Sequence, residues 1–193
     1  SERTVFYDVK CSMALEEAIY SSGGIPKMVR TGHSFMKKEL KENPDSPLAG
    51  EMSGHFFLND RWPGFDDSLY NTARLLEIIA REPSPDEGGP KFSDWFDDLP
   101  KYASTGEAKV PLTMNRTETM DSVERIFSDM KYSNVDGVRV SYPEGWFLCR
   151  PSNTEPILVM RAEANDEEAL IKIKQDVEER LGETINLEKF HNS

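Results

Sequence analysis

The sequence predicts an α/β domain, a mixed sheet covered by helices, followed by a smaller α+β domain with an antiparallel sheet and two helices. Three observations carry this reading. Over residues 1–101, short β-rich runs alternate with amphipathic runs, the pattern of helices laid over a sheet. Over residues 102–193, one strand and one helix precede three consecutive strands and a closing helix, which is α+β order. A length of 193 residues with 37% hydrophobic content suits two modest cores of roughly 100 residues each.

Taken in order, "TVFYDVKC" is a β-rich run, and Ser12 caps a helix with Leu15, Ala18, Ile19 and Ser22 on one face and Gly23-Gly24 at its end. "IPKMVRT" reads as a second strand, "SFMKKELKE" as a short helix, and "SPLAGE" and "GHFFLND" as two further strands. From Asp66 an amphipathic helix sets Leu69, Ala73, Leu76 and Ala80 at three- and four-residue spacing, so it is expected to face a core. "REPSPDEGGP" is a surface loop, and "KFSDWFDDLP" is expected as a short helix whose Phe92, Trp95 and Phe96 plug a core. In the second half a helix carries Met120, Val123, Phe127 and Met130. The closing helix opens with Asn165 three residues before Glu168, carries Leu170, Ile173, Val177 and Leu181, and stops at Gly182.

Composition narrows the partners. A net charge of -12 repels nucleic acid, and a phosphate ligand needs a local basic pocket against that field. The acid is concentrated in "SDWFDDLP", "ANDEEAL" and "DVEERLGE", which read as solvated helix faces and first turns. No apolar run approaches the ~20 residues that span a bilayer, so no membrane role is expected. "SERTVFYDVK" has no basic and apolar leader pattern, which makes the cytoplasm the expected location. Cys11 and Cys149 fit no metal spacing and read as buried, reduced thiols.

Two turns are richer in functional groups than turning requires. "RPSNTEP", residues 150–156, gathers Arg150, Ser152, Asn153 and Thr154 between two apolar runs, a set of donors suited to a phosphate. The same residues also suit a polar turn that caps its own backbone. In "LAGEMSGHFF", residues 48–57, Glu51 can accept from two sugar hydroxyls, Ser53 can donate or accept, and the flanking glycines let backbone approach a ligand. A serine hydrolase built on Ser53, His33 and an acid is a rival, but "GEMSG" places Ser53 fourth rather than third, so the G-x-S-x-G elbow is not met.

Taken together, "YDVKCS", "VRTGHSFMKKE", "GEMSGHFF", "DGVRVSYPEGWFLCRPSNTEP" and "LVMRAEA" resemble, in this order, the second half of the phosphomannomutase/phosphoglucomutase family of α-D-phosphohexomutases. The resemblance covers nearly the whole chain. It implies that "GEMSGH" is a sugar-binding loop and "RPSNTEP" a phosphate-binding loop, with Arg30, Glu51, Ser53 and His55 on the sugar, Arg150, Ser152, Asn153 and Thr154 on the phosphate, and Lys10, His33 and His55 assisting. Met52 looks like the mannose and glucose mutases rather than the glucosamine branch. Neither an S-H-N-P serine loop nor a D-x-D-x-D run is present, so the chain resembles domains three and four only, and an excised fragment is the expectation. The family passes a phosphoryl group from a phosphoserine to the sugar phosphate and takes the other one back from a bisphosphate. Residues 1–101 would then be the sugar-binding domain and 102–193 the phosphate-binding one, acting on mannose or glucose phosphates beside the N-terminal domains of the same chain. No catalytic serine and no metal ligand set are expected here; magnesium is implied for the complete enzyme, bound by a missing domain. The fragment alone is expected to be inactive, and Arg150 is expected to be a loop arginine whose loss spares the fold. A stand-alone, non-catalytic phosphosugar-binding module is the alternative.

Overall fold

The first apolar run forms the central strand of a sheet. In this computed structural model, which describes residues 3–112 and 115–193, β1 (Arg3–Asp8) pairs in parallel with β2 (Gly24–Val29) on one side and β3 (Leu48–Gly50) on the other. Residues 1, 2, 113 and 114, which the two expected domains include, lie outside the described residues. β4 (Phe56–Leu58) adds antiparallel to β3, giving the order β2-β1-β3-β4 and a mixed sheet. The two crossovers, β1 to β2 and β2 to β3, run in opposite directions across the sheet, and with right-handed connections their helices fall on opposite faces. Helix α1 (Met13–Ser21), whose N-cap Ser12 accepts from the Ala14 amide, packs its Ile19 with Tyr7 and Cys11. Helix α2 (His33–Glu42) packs Met36 and Leu40 with Phe6, Val29, Ala49 and Phe57. Phe6 and Tyr7 thus serve opposite faces, as the two-residue period of a strand requires.

Helix α3 (Ser68–Ile79) corrects the expectation of a core-facing helix. It has no buried residue, and Leu69 and Leu76 are 84% and 59% exposed. Polar groups hold it instead. Asn71 donates to the Phe56 carbonyl at 2.9 Å, Arg74 pairs with Asp60 at 2.7 Å and Glu77 at 2.8 Å, and Tyr70 stacks on Trp62 at 4.4 Å. The apolar spacing reports a face that needs a cover, and none of the described residues of the first unit buries it. The aromatic segment is corrected too. Phe92–Phe96 is a 3-10 turn in which Phe92 and Phe96 are exposed and Trp95 half-buried, the rings meeting one another at 5.2–5.3 Å rather than plugging a core.

The chain divides into two compact units, Ser1–Pro100 and Lys101–Ser193. In the second, β5 (Ala103–Ser104), β6 (Ala108–Pro111), β7 (Tyr132–Ser133), β8 (Val138–Tyr142), β9 (Gly145–Pro151) and β10 (Ile157–Ala164) form an antiparallel sheet ordered β5-β10-β9-β8-β7, with β6 also on β10. Alternate residues Val138, Val140, Phe147, Cys149, Leu158, Met160 and Ala162 face a core shared with α4 (Arg116–Ile126) and α5 (Glu167–Leu181). Two details differ from expectation. Asp166, not Asn165, caps α5 by accepting from the Ala169 amide, and a further short helix, α6 (Glu188–His191), seats Phe190 against Phe147 at 5.4 Å. No helix among the described residues is long and apolar enough to cross a membrane.

Both cysteines are buried and free. Burial pushes the Cys149 thiol up to about 12 from 9.0. The unfolded chain therefore loses this proton first, so the stability it carries is intact below about pH 9 and is lost as pH rises from 9 towards 12. For one group the slope reaches at most about 1.4 kcal/mol per pH unit. Denaturant melts of the wild type and Cys149→Ala across this range should show a shallower alkaline decline in the variant; parallel declines would contradict the assignment.

Candidate functional site

A parallel strand order that reverses at β1 opens a crevice at the carboxyl ends of the strands, where loops from β1 and β3 separate. Asp8, the last residue of β1 and fully buried, ties these loops together. Its Oδ1 accepts from the Lys10 amide at 3.2 Å, the Cys11 thiol at 3.2 Å and the Met52 amide at 3.4 Å, and its Oδ2 accepts from the Thr31 hydroxyl at 3.1 Å. Lys10, largely buried, lies 3.9 Å from the same carboxylate. Sequence reasoning missed Asp8. A carboxylate ending an apolar run reads as a turn residue, and the only signal was its place at a strand end beside a lysine.

The turn between β3 and β4 closes through Glu51 and His55, whose backbones meet at 2.9 Å. Glu51 is buried, and one carboxylate oxygen accepts from the Gly32 amide at the cap of α2. Gly32 has φ 136°, a conformation that glycine supplies without strain. The hydrogen bond carries Glu51 to His33. His33 and His55 lie edge to face at 4.6 Å, and Asp66 Oδ2 is 2.6 Å from His55 Nδ1 and 3.7 Å from His33 Nε2. Asp66 is a second residue that sequence reasoning did not assign; it was legible only as the start of a helix. Ser53 is exposed in the same turn, and no hydrogen bond joins it to either histidine among the described residues, so the nucleophile-base contact that a serine hydrolase needs is absent there. Arg30 is exposed, with its guanidinium 4.5 Å from the Phe35 ring.

In the second unit the β9–β10 hairpin turns over Ser152–Pro156. Ser152 Oγ accepts from the Thr154 and Glu155 amides at 3.3 Å each, so this side chain does cap its own turn. Asn153 and Thr154 are exposed. Arg150 differs from expectation. It stands on β9, is 5% exposed, and its Nε donates to the buried Asp136 carboxylate at 2.8 Å. Its Nη2 is buried without a hydrogen-bond partner among the described residues. Gly137, with φ 79°, permits the approach, since a Cβ there would meet the Cys149 carbonyl oxygen at 2.5 Å and Arg150 Cα at 2.6 Å. Arg116, which sequence reasoning also missed, donates to the Ser152 carbonyl. It begins α4, where a cation opposes the helix dipole, and that misplacement was the available signal.

Among the described residues one group could hold a metal ion: His33, Glu51 and His55, whose ligand atoms lie within 4.8 Å of one another. Magnesium takes oxygen ligands in near-octahedral geometry, so two imidazoles and one carboxylate do not fit it.

Family models describe these two units. The phosphoglucomutase/phosphomannomutase alpha/beta/alpha domain III matches residues 1–102, and the C-terminal domain of the same family matches residues 107–180. The chain belongs to the phosphoglucomutase/phosphomannomutase family. A phosphomannomutase/phosphoglucomutase of Pseudomonas syringae pv. tomato is 43% identical over 173 residues, which are 88% of this chain and 36% of that protein. A phosphoglucomutase/phosphomannomutase family protein from Burkholderia thailandensis has a similar structure, with TM-score 0.79 and 40% identity over 93% of this chain and 37% of its own. An Aspergillus fumigatus N-acetylphosphoglucosamine mutase, solved with GlcNAc-6P and magnesium, shares the fold at TM-score 0.66 and 12% identity, over 93% of this chain and 38% of its own. The chain thus spans little more than a third of the length of these relatives.

The Arg150–Asp136 pair sets a prediction. Removing one partner of a buried ion pair strands the other charge at a cost of about 3–5 kcal/mol, whereas replacing both with apolar residues costs far less. Arg150→Ala should therefore lower unfolding free energy by about that amount in urea melts, with Arg150→Met/Asp136→Leu recovering most of it. A single variant as stable as the wild type would return Arg150 to the status of a surface turn residue.

Proposed function

We propose that this chain is the sugar- and phosphate-holding part of a phosphohexomutase that interconverts the 1- and 6-phosphates of mannose or glucose through a bisphosphate. The observation that carries the reading is Arg150 Nη2, a buried guanidinium donor without a hydrogen-bond partner among the described residues, beside a hairpin of exposed polar groups. A buried orphaned donor calls for an acceptor, and a phosphate oxygen supplies one with charge assistance. Asp136 holds the fork, Ser152 shapes the turn, and Asn153, Thr154 and Arg116 present further donors. In the first unit Glu51, fixed by Gly32, has its second oxygen left for sugar hydroxyls, with Ser53 and Arg30 alongside. His33, His55 and Lys10 add cationic or proton-carrying groups near the sugar. These residues bind and orient. Phosphoryl transfer rests mostly on alignment and charge stabilisation, so a chain that does no covalent step still contributes to its rate.

The phosphoserine and the magnesium ion would then come from preceding domains, and the exposed apolar face of α3 is where we seat them. Leu75, Ile78, Phe56 and Leu58 line a groove of about 670 Å³ there, with His55 and Asp66 at its rim. Relatives nearly three times as long supply chain enough to cover it. Hexose phosphates carry double negative charge and do not cross lipid unaided, so the reading keeps the protein in the cytoplasm with them. The stand-alone binding module gains no support from family members that are named as mutases along their greater length.

Calorimetry with glucose 6-phosphate and with inorganic phosphate tests the division of labour. Arg116→Ala, an exposed change, should weaken both ligands by roughly one to two decades, the value of one charge-assisted contact. Glu51→Ala should weaken the sugar phosphate alone. Equal losses for both ligands in Glu51→Ala, or mutase turnover by this chain unaided, would sink the proposal. For the docking groove, Leu75→Asp/Ile78→Asp should shift the chain's own stability by only about 0.5–1 kcal/mol, because both side chains are exposed. It should nevertheless abolish capture of separately produced preceding domains in a pull-down, and retained capture would place the interface elsewhere.

A further inference from the structure

We propose that His33, Glu51 and His55 form a binding site for one divalent transition ion of the zinc class. Three protein ligands, two imidazoles and one carboxylate, with an open position towards solvent, are a recurring zinc set. The same soft-to-borderline nitrogens select zinc, nickel or copper over magnesium and calcium.

Geometry and accessibility agree. The three ligand atoms lie within 4.8 Å of one another. Tetrahedral zinc with bonds of about 2.0–2.1 Å sets its ligand atoms roughly 3.4 Å apart, so no side of the triangle needs to contract by more than about 1.4 Å. The His33 and His55 side chains are 48% and 43% exposed, which leaves both rings room to turn inward without disturbing a core. Glu51 is the fixed corner, buried and anchored through one oxygen to the Gly32 amide.

The shell behind the ligands is also present. Metal-bound histidines commonly give their other ring N–H to a carboxylate, which fixes the tautomer and raises ligand basicity. Asp66 Oδ2 stands 2.6 Å from His55 Nδ1; a carboxylate there accepts from an Nδ1–H, the tautomer that leaves the Nε2 lone pair for an ion. Competing ligands are few. The chain has three histidines, and the third, His191, pairs with Glu178 in the other unit, while both cysteines are buried. An ion in this site would engage Glu51 and both rings, and so exclude a hexose phosphate. That last consequence rests on the sugar-binding reading; the ion's binding does not.

Titration of the 193-residue chain with zinc chloride in chelator-stripped, phosphate-free buffer tests the site. We expect one ion per chain. Affinity should fall at least tenfold in each of His33→Ala, His55→Ala and Glu51→Gln, fall about ten- to a hundredfold in Asp66→Asn, and hold in His191→Ala. Circular dichroism on each variant separates a lost ligand from a lost fold. No saturable binding, an affinity indifferent to the His33 and His55 substitutions, or equal binding of magnesium chloride would overturn the site. In a second arm, glucose 6-phosphate should weaken zinc binding more than the same concentration of glycerol 3-phosphate, which corrects for chelation in solution. If zinc binds but the two phosphates act alike, the metal site stands and the sugar-binding reading of Glu51 falls.

Discussion

The first unit is organised around a charge that has no business being buried unless it is fully used. Asp8 ends the central strand and is enclosed, and an unpaired carboxylate there would cost several kcal/mol. It is instead satisfied by the amides of Lys10 and Met52, the Cys11 thiol and the Thr31 hydroxyl, one or more from each of the three loops at that end of the sheet. The consequence is geometric. The loops that carry Lys10, His33 and Glu51 cannot drift apart without leaving Asp8 exposed to an apolar surround. A site assembled from three separate stretches of chain thereby gains the rigidity of a single element.

The second unit solves the same problem with one pair. Arg150 and Asp136 come from different segments and meet beside the end of the central strand β9, with Gly137 making room for the contact. Aligning a guanidinium in advance spares a ligand the cost of ordering a long side chain, about 2 kcal/mol of rotamer freedom in the free state. The remaining unpartnered nitrogen is the cost of that arrangement. Structure that is slightly unsatisfied without its ligand is a common signature of a binding element, because full internal satisfaction would compete with the ligand.

Much of this was legible in the sequence, and what was not has identifiable causes. The parallel strands, the helix after Ser12 and the hairpin around residues 152–156 follow from periodicity and turn residues, which act locally. The placement of Glu51, His33 and His55 in one cluster followed from family resemblance rather than from spacing. Asp8, Asp66 and Arg116 left only weak local signals because each acquires its role from a partner in another element or loop: Met52, His55 and Ser152 respectively. The helix carrying Leu69 and Leu76 misled for the opposite reason. Its spacing is a sound report of an apolar face, but spacing is silent on whether the cover belongs to the same unit.

The proposed phosphate site sits on a chain of net charge -12, so it needs its local cations to outweigh the average field. Distance and dielectric decide this. Exposed acids more than about 8 Å away are largely screened at physiological ionic strength. A charge at 4 Å in a surround of intermediate dielectric acts with about 4 kcal/mol. Arg150 is buried at the end of β9 beside the loop and Arg116 is bonded to the loop backbone, whereas the acidic residues of α5 are solvated and distributed. On the proposed reading, the negative total governs approach from solution, and the buried guanidinium governs what is held on arrival. An anion reaching the loop must cross an unfavourable field, so binding there is expected to gain speed with added salt before it loses affinity, the reverse of a protein that recruits its ligand with a basic surface.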